Sequence, residues 1–329
     1  MNLGITYDLR DDYLQEGYGY EETAEFDSIG TIDGIDDALK SLGHTTVRVG
    51  NAKSLVSRLA AGETWDLVFN IAEGMYGVGR EALVPALLDA YRIPYTFSDP
   101  LVLALTLHKG LTKTVIRSAG IPTADFAVVE DPGDLVKLDL PFPLFAKPVA
   151  EGTGKGINES SRVDTREQLS VLCTKLMHEF RQPVLVETYL PGREFTAGIV
   201  GTDSAASVIG VMEVLFRNNH EGEKIYSYHT KAHYEELIDY VIPEQHVVQS
   251  CSEVALHAWR ALGCRDGGRV DIRMDSLGRP NFIEVNPLAG LNPVHSDLPI
   301  ICRLRNIPYR ELIAMILDSA IQRVNREKP

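Results

Sequence analysis

The chain has 329 residues, 44% of them hydrophobic and 24% charged, with a formal net charge of -14 and a pI near 5.1. That length holds roughly two or three domains with sizeable cores, and the composition is ordinary for a soluble globular protein. The acidic balance argues against general nucleic-acid binding, which depends on a basic surface.

Asn2 to Tyr7 reads as a strand, and the acidic stretch Asp8 to Asp27 as a loop at its carboxyl end. Ile32, Ile35, Leu39 and Leu42 fall at helical spacing, with Gly43 as a stop. His44 to Val49 is a second strand, Leu55 to Ala61 a helical stretch and Trp65 to Ile71 a third strand. This alternation predicts a parallel sheet covered by helices. The glycine-rich segment Asn70 to Glu81 follows the third strand and leads into a helix over Ala82 to Tyr91. Ligand sites of open α/β sheets favour such edges, although glycines serve tight turns equally well.

Ile93-Pro94-Tyr95-Thr96 closes a first unit, 1–102. A single helix is predicted from Pro100 through Ala119, carrying Lys109 and Lys113, with Gly120-Ile121-Pro122 ending it. Phe126 to Glu130 and Leu144 to Val149 read as strands of a second sheet, and Leu169, Leu172, Leu176 and Phe180 mark an amphipathic helix. The loop Lys147 to Gly156 combines glycines, Thr153 and two lysines, which suits close approach of backbone amides to an anion. It lacks the P-loop order, and a flexible surface hairpin accounts for it as well. Val184 to Leu190 reads as a buried strand. Its Glu187 is either an acceptor for an adenine amino group or ribose hydroxyl, or an exposed strand-end acid.

Phe195 to Val200 and Ser207 to Phe216 are further strands. The polar insert Asn218 to Glu236, with Tyr226, Tyr228, His229, Lys231, His233 and Tyr234, is either a substrate-covering lid or a disordered loop. His246 to Leu262 reads as a helix and Tyr309 to Ile321 as another, with a frayed end. Between them lies Gly268 to Gly290, a β-hairpin by its period of two. Val270, Ile272, Met274, Ile283 and Val285 are expected on one face, and Arg269, Asp271, Glu284 and Asn286 on the other. With a turn centred on Leu277 and Gly278, one register sets Asp271 opposite Glu284 and Arg269 opposite Asn286. Three oxygen-bearing side chains on one face suit a hard cation such as magnesium, and a solvated, salt-bridged face remains the other reading.

Cys173, Cys251, Cys264 and Cys302 lack metal-ligand or disulfide spacing and are expected to be buried thiols. No HExxH or GxSxG pattern occurs. With no signal-like opening and no apolar run of roughly 18 to 20 residues, no membrane association and a cytoplasmic location are expected.

Taken in order, the glycine loop from Glu73 to Glu81, Ile93-Pro94-Tyr95, the Lys109 helix, Lys147-Pro148 with its loop, Glu187 to Glu194, Arg269-Val270-Asp271, and Glu284-Val285-Asn286 with Gly290 resemble the ATP-grasp superfamily, and within it the D-alanine-D-alanine ligases. The resemblance implies an α/β (α+β ATP-grasp) fold: an N-terminal parallel-sheet domain, 1–102, then two ATP-grasp lobes, 103–186 and 187–329, holding the nucleotide between their sheets. It implies ATP contacts from Lys109 and Lys147, a covering loop with Glu151, Thr153 and Gly154, and Glu187, Leu190 and Glu194 around adenine and ribose. Magnesium, or manganese in its place, falls to Asp271, Glu284 and Asn286. Arg269 and the Gly290 amide would stabilise an oxyanion, and Lys231 matches a family lysine in the insert.

The implied activity is a carboxylate-amine ligase that forms a dipeptide amide through an acyl phosphate, acting on small molecules, in a family whose members are usually homodimers. Departures touch the amino-acid grip. Glu25 lies in a loop without the family's usual glycine-rich opening, Ala232 replaces a tyrosine, Thr153-Gly154 replaces two serines, Pro287-Leu288-Ala289 replaces Thr-x-Pro, and His108 replaces an aspartate. The alternatives are a ligase for a different acid or amine, and a nucleotide-binding regulatory protein without turnover.

Overall fold

Strands β1 (Asn2–Tyr7), β2 (Thr45–Gly50) and β3 (Leu67–Ile71) pair in parallel in the order β2-β1-β3. In this computed structural model, which describes residues 1–217 and 237–327, Leu3, Ile5 and Phe69 are fully buried beneath the helix Ile29–Ser41. Tyr7 lies beside Ile71, so the segments that leave β1 and β3 emerge together at one carboxyl edge. The first of these is more ordered than the sequence suggests. A short helix, Arg10–Gln15, opens it, and Arg10 donates to the carbonyls of Thr23, Ala24 and Phe26 to fold the rest back. The Asp8 carboxylate accepts from the Gly74 amide at 2.9 Å, tying the two segments to each other.

A second, antiparallel sheet contains β4 (Phe126–Val129), β5 (Leu144–Pro148), β6 (Arg162–Val163) and β7 (Val184–Thr188), ordered β4-β7-β5-β6. The helix Arg166–Phe180 lays Leu169, Leu172, Cys173 and Leu176 into its core. A third sheet, also antiparallel, runs β10-β9-β8-β11-β12 through β8 (Glu194–Val200), β9 (Ser207–Phe216), β10 (Ile238–Val241), β11 (Gly267–Met274) and β12 (Pro280–Asn286). Helix Gln245–Leu262 covers it with Val247, Cys251, Ala255, Ala258 and Trp259. The chain then returns to its start. Leu312, Ile313, Ile316 and Leu317 of helix Tyr309–Glu327 share one apolar cluster with Leu3, Ile5 and Phe69.

Two expectations fail locally. The helix expected over Pro100 to Ala119 is two helices, Pro100–Leu107 and Lys109–Ser118, because His108 takes an extended conformation (φ -86, ψ 90) between them. Its Nδ1 accepts the Leu111 amide at 3.2 Å, the capping role expected of an aspartate there. The unbroken apolar run before His108 conceals this break.

The hairpin keeps both predicted pairs, Arg269 with Asn286 and Asp271 with Glu284, but a bulge follows, so that Ile272 faces Phe282. The extra residue reverses the facing of the strand beyond it. Phe282, not Ile283, fills the core at 0% exposure, and Ile283 turns to the polar cleft. All four cysteines are buried and free.

The bulge has a measurable signature in chemical denaturation. Phe282→Ala should cost about 3 to 5 kcal/mol of stability. Ile283→Ala should cost about 1 kcal/mol or less. The reverse ranking would restore the unbulged register.

Candidate active site

The second and third sheets face one another across a cleft. From β5 and β7 come Lys147 and Glu187, and from β8, β11 and β12 come Glu194, Arg269, Asp271, Arg273 and Glu284. Lys109 enters at the first turn of its helix. A lysine at the positive end of a helix dipole is unfavourable by itself, and the two together attract an anion.

Ion pairs formed out of water set the electrostatics. Glu187 is 4% exposed, which removes the exposed-acid reading, and it sits between Lys113 at 2.7 Å and Lys147 at 3.2 Å. Burial pushes its carboxyl up, but the two ammoniums outweigh that and hold it down at about 2. Burial lowers the Lys113 pKa, whereas for Lys147 the attraction of Glu187 and Glu284 overcomes burial and raises it. Lys113 also donates to Thr123 Oγ1, which donates to the Phe282 carbonyl, so this ion cluster reaches the bulged strand.

On the facing sheet, Arg269 pairs with Asp271 and lies 3.4 Å from Asp297. Asp271 also accepts from Thr196 Oγ1 at 3.0 Å and from the Asn286 amide at 3.4 Å. Glu284 lies 3.6 Å from the Lys109 ammonium. Burial opposes the charge on Arg269, yet Asp271, Asp297 and Glu284 raise its pKa above the ordinary value. Among the described residues no group of three or more His, Cys, Asp or Glu side chains converges as a metal site. Two carboxylates and one amide make an incomplete cage, the kind of donor set that suits an ion sharing its remaining positions with phosphate oxygens.

The loop between β5 and β6 closes one side. Lys109 Nζ donates to the Glu151 carbonyl at 2.6 Å, and the Glu151 carboxylate takes Lys155 at 2.7 Å and the Gln182 amide at 2.7 Å. Glu25, from the loop after β1, accepts the Gly152 amide at 2.7 Å and pairs with Arg80 at 2.9 Å. A Cβ at Gly152 would stand 2.5 Å from that carboxylate and would push the Glu25 side chain aside. Arg80 also holds the Ala150 carbonyl at 3.0 Å. Burial raises the Glu25 carboxyl, but Arg80, Lys155 and the Gly152 amide bring it below its ordinary value.

A second cavity, ≈ 340 Å³, continues from this cleft and shares Lys109, Glu151, Arg269 and Glu284 with it. Its far wall carries Asp27, Glu73 and Glu81. Burial pushes both Asp27 and Glu81 up to about 7, and raises Glu73 well above the carboxylate range with help from Glu81, Glu25 and Asp27.

The sequence-derived residues therefore gather at two joined cavities. Lys109, Lys147, Glu151, Gly154, Glu187, Leu190, Glu194, Arg269, Asp271 and Glu284 line the first, while Thr153, Asn286 and Gly290 line the second. Lys231 and the rest of the insert Asn218 to Glu236 lie outside the described residues. Sequence reasoning missed Arg273, although period two puts it on the face of Arg269 and Asp271, and it pairs with Glu194 at 3.3 Å. It also missed strand β10, and it gave Lys113, Asp27 and Asp297 no role. Asp27 and Asp297 reach the cavity through tertiary packing and carry no local signal.

A family model described as "D-ala D-ala ligase C-terminus" matches residues 115–318. The protein y4sG of Sinorhizobium fredii is 30% identical over 301 residues, covering 88% of this chain and 87% of its own. The D-alanine-D-alanine ligase of Actinobacillus pleuropneumoniae serotype 5b is 30% identical over 291 residues, covering 86% and 90%. Among solved structures, the D-alanine-D-alanine ligase from Bacillus anthracis complexed with ATP superposes with a TM-score of 0.74 at 21% identity, covering 100% of both chains. VanG D-Ala:D-Ser ligase from Enterococcus faecalis gives 0.73 at 17%, covering 97% of this chain and 99% of its own. The fold is thus the expected mixed α/β ATP-grasp architecture.

Asp27 supplies a test of the second cavity in ligand-free protein. A carboxyl whose folded pKa lies above its unfolded value binds its proton more tightly when folded, so its contribution to stability is lost as pH rises from the ordinary carboxylate range through about 7. Asp27→Asn should therefore raise the thermal midpoint at pH 8 and raise it less, or not at all, at pH 5. An equal shift at both pH values would contradict a raised Asp27 pKa.

Proposed function

Because the chain belongs to the D-alanine-D-alanine ligase family, we propose that it is an ATP-dependent ligase joining the carboxylate of one small molecule to the amine of another through an acyl phosphate. The observation that carries this reading is the placement of Lys109, Lys147 and a helix N-terminus opposite Asp271 and Glu284 in one cleft between two sheets. Lys109 and Lys147 would hold phosphate oxygens, the 151–156 loop would cover them, and Glu187, Leu190 and Glu194 would meet the adenine and ribose. In this reading residues 1–102, 103–186 and 187–329 act as three units around the nucleotide.

Asp271, Glu284 and Asn286 would hold magnesium, or manganese in its place, which when bound supplies charge against the triphosphate. A substrate carboxylate oxygen attacks the γ-phosphorus, the bond to the β-phosphate oxygen breaks, and ADP departs with the electron pair. The amine nitrogen then attacks the acyl carbon. Arg269 and the Gly290 amide face the developing oxyanion, the carbon-oxygen bond to phosphate breaks, and the nitrogen loses a proton. Lys231 and its insert, which follow β9, are assigned to the same reaction. An acyl phosphate is readily hydrolysed, so exclusion of water by the loops is part of the proposal.

We place the chain in the cytoplasm as a homodimer. No helix among the described residues is long and apolar enough to cross a membrane.

Two measurements test the ligase reading. Magnesium-ATP with paired carboxylates and amines should release phosphate only when both partners are present, and release with no pair in a broad panel would overturn it. Asp271→Asn and Glu284→Gln should each lower that release by about 100-fold or more while the thermal midpoint stays within a few degrees of the parent. Full activity in either variant would remove the hairpin from the mechanism.

A further inference from the structure

Residues of β11 alternate between core and cleft, so Arg269, Asp271 and Arg273 share the cleft face. Arg273 therefore stands roughly 7 Å along the strand from Asp271. Directly across the ladder from it, on β8, is Glu194. The same cleft is lined by the apolar side chains of Phe145, Leu190 and Ile283, surfaces that suit a flat base.

Tyr189 holds the Arg273 guanidinium in place. Its hydroxyl lies 3.3 Å from Nη2 and its ring centre 5.3 Å from the guanidinium carbon, while Phe145 stacks against the ring and the Tyr189 amide donates to the Pro143 carbonyl at 3.1 Å. Yet the guanidinium is poorly satisfied. Nη1 reaches Glu194 only at 3.3 Å, and Nε is buried with no hydrogen-bond partner among the described residues. Charge-assisted pairs ordinarily close to about 2.7 to 2.9 Å, and a guanidinium has five N–H donors to fill. Arg193, the residue before Glu194, shows what a pair closed by the protein alone looks like: its Nε and Nη2 each donate to a Glu213 oxygen at 2.6 Å. Arg273, left short of acceptors on the wall of a ligand cleft, is placed for a ligand oxygen to complete.

The neighbouring acid decides which oxygen. A carboxylate accepts and a guanidinium donates, so the two side by side match a group that offers a donor and an acceptor on adjacent atoms. A vicinal diol does this, each hydroxyl giving its proton to Glu194 while its oxygen takes an N–H of Arg273. A purine ring nitrogen would satisfy Arg273 alone, and an amino group Glu194 alone.

Resting on the ligase reading above, which gives Glu194 to the adenine and ribose, we propose that Arg273 is a specificity-determining residue: with Glu194 it grips the 2′- and 3′-hydroxyls of the ribose, so that the protein takes ribonucleotides and rejects their deoxy forms.

Calorimetry on the full chain with magnesium, comparing ADP with 2′,3′-dideoxyADP, tests this without turnover. ADP should bind about tenfold or more tightly than the dideoxy form. Arg273→Met should weaken ADP by about tenfold and the dideoxy form by less than about twofold, and Arg273→Lys, which keeps donors but loses the planar fork, should fall between the parent and Arg273→Met. A residue that only braced the two strands would weaken both nucleotides alike. That result overturns the proposal, as does equal binding of the two nucleotides by the parent.

Phosphate release with paired carboxylates and amines separates this inference from its premise. Preference for ADP over its dideoxy form, without release from any pair, supports the diol grip and overturns the ligase reading. Release without that preference keeps the ligase and overturns the grip. Neither preference nor release overturns both.

Discussion

Lys113 and Lys147 are buried against one carboxylate, Glu187, and that ion cluster anchors one wall of the cleft. Desolvating two ammoniums is unfavourable, and a single acid offsets only part of it. Lys109 adds a further cation at a helix N-terminus on the same side. The cleft therefore brings Lys109 and Lys147 together on one side, placed to meet the oxygens of a polyphosphate, while Asp271 and Glu284 stand on the other. The adjoining cavity is richer in acids, and its Asp27, Glu73 and Glu81 form no ion pair within 4.0 Å among the described residues. The hairpin stands between the two cavities, and its Arg269 and Glu284 line both.

That position demands a strand whose faces are assigned separately along its length. Asp271 and Glu284 must point into the cleft together, while Phe282 is needed in the core over helix Gln245–Leu262. Strict alternation cannot place Glu284 in the cleft and Phe282 in the core, since residues two apart share a face. The bulge at Ile283 resolves this by inserting one residue between the two demands, and the Pro122 carbonyl and Thr123 hydroxyl tie Phe282 at the edge. The geometry of the site and the packing of the core are thus settled by the same local irregularity.

Much of this was readable because it depends on short-range patterning. The period of two fixed Asp271 opposite Glu284, and the alternation of strands and helices gave the first sheet its parallel order. The order of lysines, glycines and acids also identified the ATP-grasp family. The bulge escaped because Ile283 and Phe282 are both apolar, and either could fill the core. The break at His108 escaped because the residues around it have helical character, and only the fixing of the Lys109 amide to the Val149 carbonyl at 3.0 Å shows why the chain must turn. Asp27, Glu73, Glu81 and Asp297 come from separate loops, and no spacing rule could bring them to one wall.

Glu25 shows how these loops act as a unit. Its carboxylate joins the segment after β1 to Arg80 in the segment after β3 and to Gly152 in the loop that faces the cleft. Glu151, next along that loop, is tied through its carbonyl to Lys109 and through its side chain to Lys155 and Gln182. A displacement of Lys109 by an anion would release the Glu151 carbonyl, and the shift would be felt at Gly152 and Glu25, on the wall of the acidic cavity. One loop thus makes contacts with both cavities. A ligand that meets Lys109 in the cleft would therefore bear on the wall of the second cavity through this single loop.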